Sequence, residues 1–256
     1  MVHFVGAGSG AADLITVRGA RLLEEADVVI YAGSLVNPAL LEYTKPGCEI
    51  HNSAQMTLEQ VLDVVKAAEA AGKTTVRLHT GDSSIYGAVR EQVDQLEALG
   101  VEYDVCPGVS SFCGAAASLR AEYTLPDVSQ SVIITRAAGR TPVPDRESLR
   151  SFAAHQATMV LFLSAGLADK VREDLLAGGY PPETPAAVVY KATWPDEMIL
   201  RCTVDTLPET IGAGNIKKTA LIIVGDCMGD KYLRSRLYSP DFSTEFRKGT
   251  DDAEET

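Results

Sequence analysis

The sequence predicts an α/β protein made of two α/β lobes with a ligand cleft between them. Three observations predict it. Short apolar runs of strand length alternate with stretches of helical periodicity along most of the 256 residues, several strands run out into glycine-rich turns, and the periodicity lapses once, over a proline-containing stretch. That stretch, Arg120 to Ser129 (RAEYTLPDVS), divides the chain into an N-terminal lobe of residues 1–119, a linker at 120–130 and a C-terminal lobe at 131–242. Residues 243–256 are acidic, lack apolar periodicity and are expected to be a disordered tail.

Val2 to Val5 is an apolar strand leading into Gly6, Gly8 and Gly10, and Asp13 to Leu23 follows with helical spacing. Gly6, Gly8 and Ala11 satisfy a dinucleotide-binding fingerprint, but that fingerprint also needs an acid after the second strand to hold a ribose hydroxyl. The second strand, Val28 to Tyr31, ends in Ala32-Gly33-Ser34, so a nicotinamide site is not expected. Close packing of strand on helix explains the glycines equally well.

Thr57 to Ala71 carries the clearest helix signature, with a capping box at Thr57 and Gln60, an apolar stripe at Leu58, Val61, Leu62, Val65 and Ala68, and Gly72 to end it. Thr75 to His79 is a strand that runs into Gly81, Asp82, Ser83 and Ser84. A further helix bears Val89, Val93 and Leu96 and closes at Gly100. Glycine, acid and serine at the carboxyl end of a buried strand mark the place where an open α/β sheet receives its ligand, so this loop is the candidate active-site loop. Val101 to Val105 then leads through Pro107 and Gly108 to Ser110 and Ser111, which stand where Phe112 to Leu119 needs an N-cap.

In the second lobe, Val132 to Thr135, Met159 to Ser164, Ala187 to Tyr190, Met198 to Val204 and Ala220 to Val224 have strand length. Glu147 to His155 and Leu167 to Ala177 have helical spacing, and a mixed sheet is expected.

A formal net charge of -12 argues against a nucleic-acid partner or an anionic membrane surface, both of which require a positive field. An anionic substrate would need local arginines, and Arg136 and Arg140, flanking Gly139, are the candidates; a solvated loop is the alternative. Cys48, Cys106, Cys113, Cys202 and Cys227 are scattered without CxxC spacing, which suggests neither a disulfide framework nor a metal site. The N-terminal residues enter a strand directly and no apolar run has membrane-spanning length, so a cytoplasmic protein is expected. Metallohydrolase, serine-hydrolase and P-loop signatures are absent, and His79, beside the candidate loop, reads as the polar end of a buried strand rather than as a general base. Glycine and serine turns without an activated nucleophile suit an enzyme that aligns two reactants and leaves the hard chemistry to a cofactor.

The stretches VGAGSGAADLITVRGARLLEEADVVIYAGSLVNPALL, HTGDSSIYGAVREQ, CPGVSSF, TRAAGRTPVP, KATWPDE and TALIIVGD, in this order, resemble the tetrapyrrole (corrin and uroporphyrinogen) methyltransferases from about Val2 to about Tyr238. YAGSLVNP, TRAAGRTPVP and WPDE look like the branch that methylates precorrin-4 or cobalt-precorrin-4 at C-11 in cobalamin biosynthesis. The resemblance implies the class III fold of S-adenosylmethionine-dependent methyltransferases, usually a homodimer, with S-adenosylmethionine in the cleft. By position it implies cofactor contacts at Gly81, Asp82, Ser83, Ile85 and Tyr86, at Ser110 and Ser111, at Phe162 and Leu163, and at Ala187 and Ala220. Asp82 is expected to orient its loop or meet the cofactor's positive end. It is the one candidate for a catalytic role. Arg136 and Arg140 would hold the carboxylate arms of an anionic tetrapyrrole. The chain departs from the family's usual GPGD with Gly8-Ser9-Gly10-Ala11, and from its GDPS with Gly81-Asp82-Ser83-Ser84. Other readings of the same fold are methylation of another ring carbon or acceptor, or a non-catalytic cofactor or tetrapyrrole carrier.

Overall fold

A computed structural model describes residues 1–33 and 35–250; Ser34 and the end of the expected tail, 251–256, lie outside the described residues. The chain forms two compact units, Met1–Ser118 with Val189–Met198, and Leu119–Val188 with Ile199–Thr256. The chain passes from the first unit to the second at residues 118–119, and the short segment Val189–Met198 belongs to the first unit.

The first unit holds a parallel sheet of β1 (Val2–Gly6), β2 (Val28–Tyr31), β3 (Glu49–Asn52), β4 (Thr75–His79) and β5 (Tyr103–Cys106), in the order β3-β2-β4-β1-β5. The central strands are largely apolar because both faces are covered, Arg77 and His79 of β4 being buried exceptions. Val5, Val29, Val76 and Leu78 pack with Leu23 and Leu40 on one face. Phe4, Val28 and Ile30 pack with Val61, Leu62, Val65 and Leu96 on the other. Each of these large side chains stabilises the fold by roughly 1.5 to 3 kcal/mol relative to exposure. β3 went unpredicted because Glu-Ile-His-Asn has no apolar run to announce it.

The expected first helix starts later than its periodicity suggests. Ala12–Leu14 is a tight 3-10 turn, and α1 (Val17–Glu25) begins only after Thr16, whose side chain accepts from Gly19 N–H as its cap. In α2 (Leu58–Ala70) the Thr57–Gln60 capping box is present in full. α3 (Arg90–Leu99) ends at Gly100 in the left-handed conformation and starts well beyond the Gly-Asp-Ser-Ser turn, so residues 82–89 form an irregular loop instead of opening a helix. α4 (Ser111–Leu119) follows β5.

The second sheet comprises β6 (Val132–Arg136), β7 (Thr158–Phe162), β8 (Pro185–Tyr190), β9 (Met198–Thr203) and β10 (Ala220–Val224), ordered β6-β7-β10-β8-β9. It is mixed: β6 and β7 run parallel, β7 and β10 antiparallel. Its helices are α5 (Leu149–Ala153), shorter than Glu147 to His155 because Asp145–Glu147 is a 3-10 turn, α6 (Ala168–Gly178), and α7 (Leu207–Ala213). α7 was not foreseen, as Pro208 near its start reads as a breaker until it is seen in the first turn.

The stretch read as a linker is fastened to β7. Thr158 Oγ1 donates to the Tyr123 carbonyl at 2.8 Å, and Thr158 N–H donates to Ser129 Oγ at 2.9 Å. Among the described residues no helix is long and apolar enough to cross a membrane.

Candidate active site

β4, β1 and β5 are neighbours and parallel, so their carboxyl ends emerge side by side and deliver three glycine turns to one place. The turns meet backbone on backbone. A Cβ on Gly108 would lie 2.2 Å from the Gly81 carbonyl oxygen and 2.7 Å from Gly6 Cα, and one on Gly6 would lie 2.6 Å from both Gly108 Cα and Gly81 O. Gly8 and Gly81 exchange hydrogen bonds, N–H to O at 3.2 Å one way and 3.1 Å the other. Gly81 itself, at φ +62°, needs to be glycine for its conformation; its missing Cβ would touch only Ser110 Cα and Ser111 N at 3.4 Å.

Asp82 locks this arrangement. Its Oδ2 accepts from Gly108 N–H at 2.8 Å, and its Oδ1 accepts from the Ser84 N–H at 2.9 Å and from the Ser84 hydroxyl. Burial disfavours the charged form, but the hydrogen bonds from the Ser84 hydroxyl, Gly108 N–H and Ser84 N–H outweigh it and hold the carboxyl below its usual value. The carboxylate therefore staples two loops together.

Beneath the loop lie two buried bases on β4. Arg77 donates to Gln92 Oε1 and to the Ile30 carbonyl, each at 3.0 Å, and Gln92 Nε2 donates to the Ala88 carbonyl at 2.9 Å. Burial lowers Arg77 to about 10, which leaves it a cation. Burial, with the Arg77 charge beside it, pushes His79 down to about 3 despite a hydrogen bond to the Gly87 backbone. A neutral, weakly basic imidazole with Nε2 buried and unpartnered among the described residues does not act as a general base. The pair instead supports residues 83–89, where Tyr86 (φ 54°) and Ala88 (φ 49°) are left-handed and a Cβ on Gly87 would stand 2.1 Å from the Ser83 carbonyl oxygen.

The first turn is tied from two sides. Asn37 Nδ2 donates to the Gly10 carbonyl at 2.9 Å, and Ala11 N–H donates to Thr193 Oγ1 at 3.0 Å. Gly10, at φ +153°, lies against Trp194. Among the described residues no three His, Cys, Asp or Glu side chains gather as metal ligands.

The site is a glycine-rich cradle at the carboxyl ends of parallel strands. The profile described as "Tetrapyrrole (Corrin/Porphyrin) Methylases" matches residues 1–208. The chain belongs to the tetrapyrrole methylase family. It is 54% identical over 248 residues to a cobalt-precorrin-4 C(11)-methyltransferase of Methanocaldococcus jannaschii, covering 96% of each chain. Among solved structures it is similar to the cobalt precorrin-4 methyltransferase CbiF, with a TM-score of 0.88 at 46% identity over 90% of this chain and 96% of that one. It is also similar to the Thermus thermophilus uroporphyrin-III C-methyl transferase complexed with S-adenyl homocysteine, with a TM-score of 0.75 at 29% identity over 89% and 93%.

Within this methylase fold the structure brings Gly81, Asp82, Ser83, Ser110 and Ser111 together: Ser83 and Ser110 are buried, while Ser111 and Ile85 are half-buried and Tyr86 is exposed. In the second unit, Arg136 pairs with Phe162 across β6 and β7, and extending the β7–β10 register sets Leu163 opposite Ala220, so these four share one end of the sheet. Leu163 is left-handed (φ 54°) and 67% exposed, an apolar side chain held in strain toward solvent. Ala187 lies inside β8 and is fully buried.

Arg136 differs from the expectation of a free carboxylate clamp. Its guanidinium donates to the carbonyls of Thr141 at 3.2 Å and Pro142 at 2.7 Å, shaping its own loop, whereas Arg140 is exposed. Sequence reasoning missed Gly108, Asn37, Arg77 and Thr193. Gly108, Asn37 and Thr193 lay in stretches that carried the family resemblance, but nothing local showed which backbone each would meet.

Proposed function

We propose that this protein transfers a methyl group from S-adenosylmethionine to C-11 of precorrin-4 or its cobalt form, in cobalamin biosynthesis. The observation that carries the reading is the 54% identity to the cobalt-precorrin-4 relative across 96% of both chains. The cradle fits an adenosyl-methionine ligand: backbone groups at Gly8, Gly81 and Gly108 approach closely, Ser110 and Ser111 stand at the start of α4, and Asp82 is already occupied by loop N–H groups. S-adenosylmethionine brings an activated methyl on sulfonium, so no protein nucleophile is required. The protein's part is positioning. The Gly6–Gly81–Gly108 contact and the Asp82 staple fix the donor side, and alignment with exclusion of water lowers the barrier without a covalent intermediate. Exposed Arg140 is the group proposed to meet acceptor carboxylates, with Arg136 holding the loop that presents it. We assign the protein to the cytoplasm and to a homodimeric state, the latter testable by light scattering.

The experiment is methyl transfer from isotopically labelled S-adenosylmethionine into a cell-free precorrin mixture, followed by mapping of the labelled ring carbon. Label at C-11 with stoichiometric S-adenosylhomocysteine is expected. Label at another carbon would move the protein to another branch of the family, and ligand binding without S-adenosylhomocysteine would make it a carrier.

A further inference from the structure

The returning segment Val189–Met198 carries KATWPDE, a motif to which the proposed reaction assigns no role, yet it makes the contacts that hold the first glycine turn. Thr193 is at its centre. Its Oγ1 accepts from Ala11 N–H at 3.0 Å and lies 3.3 Å from Ser9 Oγ, so one hydroxyl ties both residues that replace the family's usual proline and acid. Glu197 anchors Thr193: one carboxylate oxygen accepts from Thr193 N–H and from the Ser118 hydroxyl of α4, each at 2.6 Å. Ser9 in turn sits on Gly114 of α4, where a Cβ would stand 2.6 Å from Ser9 Cβ. Trp194 closes the turn from above, since a Cβ on Gly10 would come within 2.3 Å of its Cδ1.

The backbone is strained to achieve this. Lys191 (φ 48°) and Thr193 (φ 67°) are both left-handed, and a β-branched residue in that region costs about 1 to 3 kcal/mol and persists only where its surroundings enforce it. A threonine held there to present its hydroxyl to a glycine turn at the carboxyl edge of a parallel sheet is the signature of a positioning device. We propose that Val189–Met198 is a clasp and that Thr193 is a positioning residue. Through Ala11 N–H and Ser9 it sets the Gly8–Ala11 turn in its ligand-binding conformation, replacing the rigidity that proline would give. The inference rests on the methyltransferase reading for the ligand, but the clasp has a readout of its own. Trp194 is the single tryptophan of the chain and lies on the turn.

The test compares wild type, Thr193→Val and Thr193→Ser by acrylamide quenching of Trp194 emission, melting temperature, and calorimetric titration with S-adenosylhomocysteine. Thr193→Val keeps shape and strain and removes the hydroxyl. It is expected to raise the quenching constant and to weaken S-adenosylhomocysteine about tenfold, ~1.4 kcal/mol. Thr193→Ser keeps the hydroxyl and is expected to restore both to within about twofold, less than one hydrogen bond. Ser118→Ala, which loosens the anchor without touching the turn, is expected to weaken binding about threefold, the low end of one hydrogen bond, and decides the matter if Thr193→Val yields no folded protein. Unchanged affinity in both Thr193→Val and Ser118→Ala, or a loss that Thr193→Ser does not repair, overturns the proposal. Failure of the wild type to bind S-adenosylhomocysteine would overturn the methyltransferase reading instead. The clasp would then stand or fall on whether Thr193→Val raises Trp194 quenching.

Discussion

Replacing Asp82 with asparagine asks whether its carboxylate staples the cradle or faces the ligand's positive charge. Asparagine has one acceptor oxygen where aspartate has two. If that oxygen stays with the Ser84 N–H and hydroxyl, the amide NH2 faces Gly108 N–H, donor against donor, across a distance that was 2.8 Å. If it flips, Ser84 loses its acceptor. Either way one charge-assisted hydrogen bond, worth about 1.5 to 3 kcal/mol when shielded, is lost, and the half-exposure of Asp82 argues for the lower part of that range. About 2 kcal/mol in a chain of this size corresponds to a melting point lower by roughly 4 to 8 °C. Because folding depresses the carboxyl below its ordinary 3.8, its contribution is complete above that value and disappears as pH falls through the folded value. The gap between wild type and Asp82→Asn should therefore be constant from neutral pH down to about 5 and close only in stronger acid. Calorimetric titration adds the functional arm: a staple lost affects cationic S-adenosylmethionine and neutral S-adenosylhomocysteine alike. An unchanged melting point at pH 7, or a loss confined to S-adenosylmethionine, would refute the staple and return Asp82 to the ligand.

Gly108→Ala should be more damaging than Asp82→Asn, since its Cβ would stand 2.2 Å from a carbonyl that cannot move aside; we expect a loss above about 3 kcal/mol or insoluble protein. Gly72→Ala, at φ +65° and with nothing within 4 Å, isolates backbone strain from collision and should cost only about 1 to 2 kcal/mol in denaturant titration. His79, lowered in the fold from 6.5 to about 3, binds its proton more readily when unfolded, so the stability tied to its neutral form is complete above 6.5 and is lost as pH falls toward 3. Between pH 7 and 5 the wild type should lose about 2 kcal/mol more than His79→Gln, and equal slopes in urea titrations would show that His79 is not the acid-labile group. Arg140→Ala should raise the acceptor KM severalfold with cofactor affinity intact, whereas Arg136→Ala, which frees the carbonyls of Thr141 and Pro142, should also expose residues 137–142 to limited proteolysis. Identical kinetics and protease patterns in both variants would make the loop a solvated surface.

Most of the first unit was legible because its signals are local. A capping box, an apolar stripe and a terminal glycine all act within one helix, and α2 carries all three. A strand covered on both faces is largely apolar, which exposed β1, β2 and, despite Arg77 and His79, β4, and hid β3, whose Glu49 and Ile50 face water at the sheet edge. The site was legible only as an address. Strand ends and glycines indicated where a ligand goes, but the meaning of each glycine depends on a backbone far away in sequence: Gly6 and Gly108 are glycines because of each other, and Gly10 because of Trp194. Charges depend on distant backbone in the same way. A linear reading left Asp82 open between orienting its loop and meeting the ligand and gave Arg136 to the ligand, since exposed loops and reactive sites share their composition. Both are occupied by main-chain partners, Asp82 by the N–H groups of Gly108 and Ser84, and Arg136 by carbonyls of its own loop. Where a polar side chain sits among glycines, the first claim on its hydrogen bonds comes from backbone groups that a tight turn leaves unpaired, and only what is left over is available to a ligand. By that reasoning the group we propose for recognising an acceptor in the second unit is exposed Arg140, ahead of the more conspicuous Arg136.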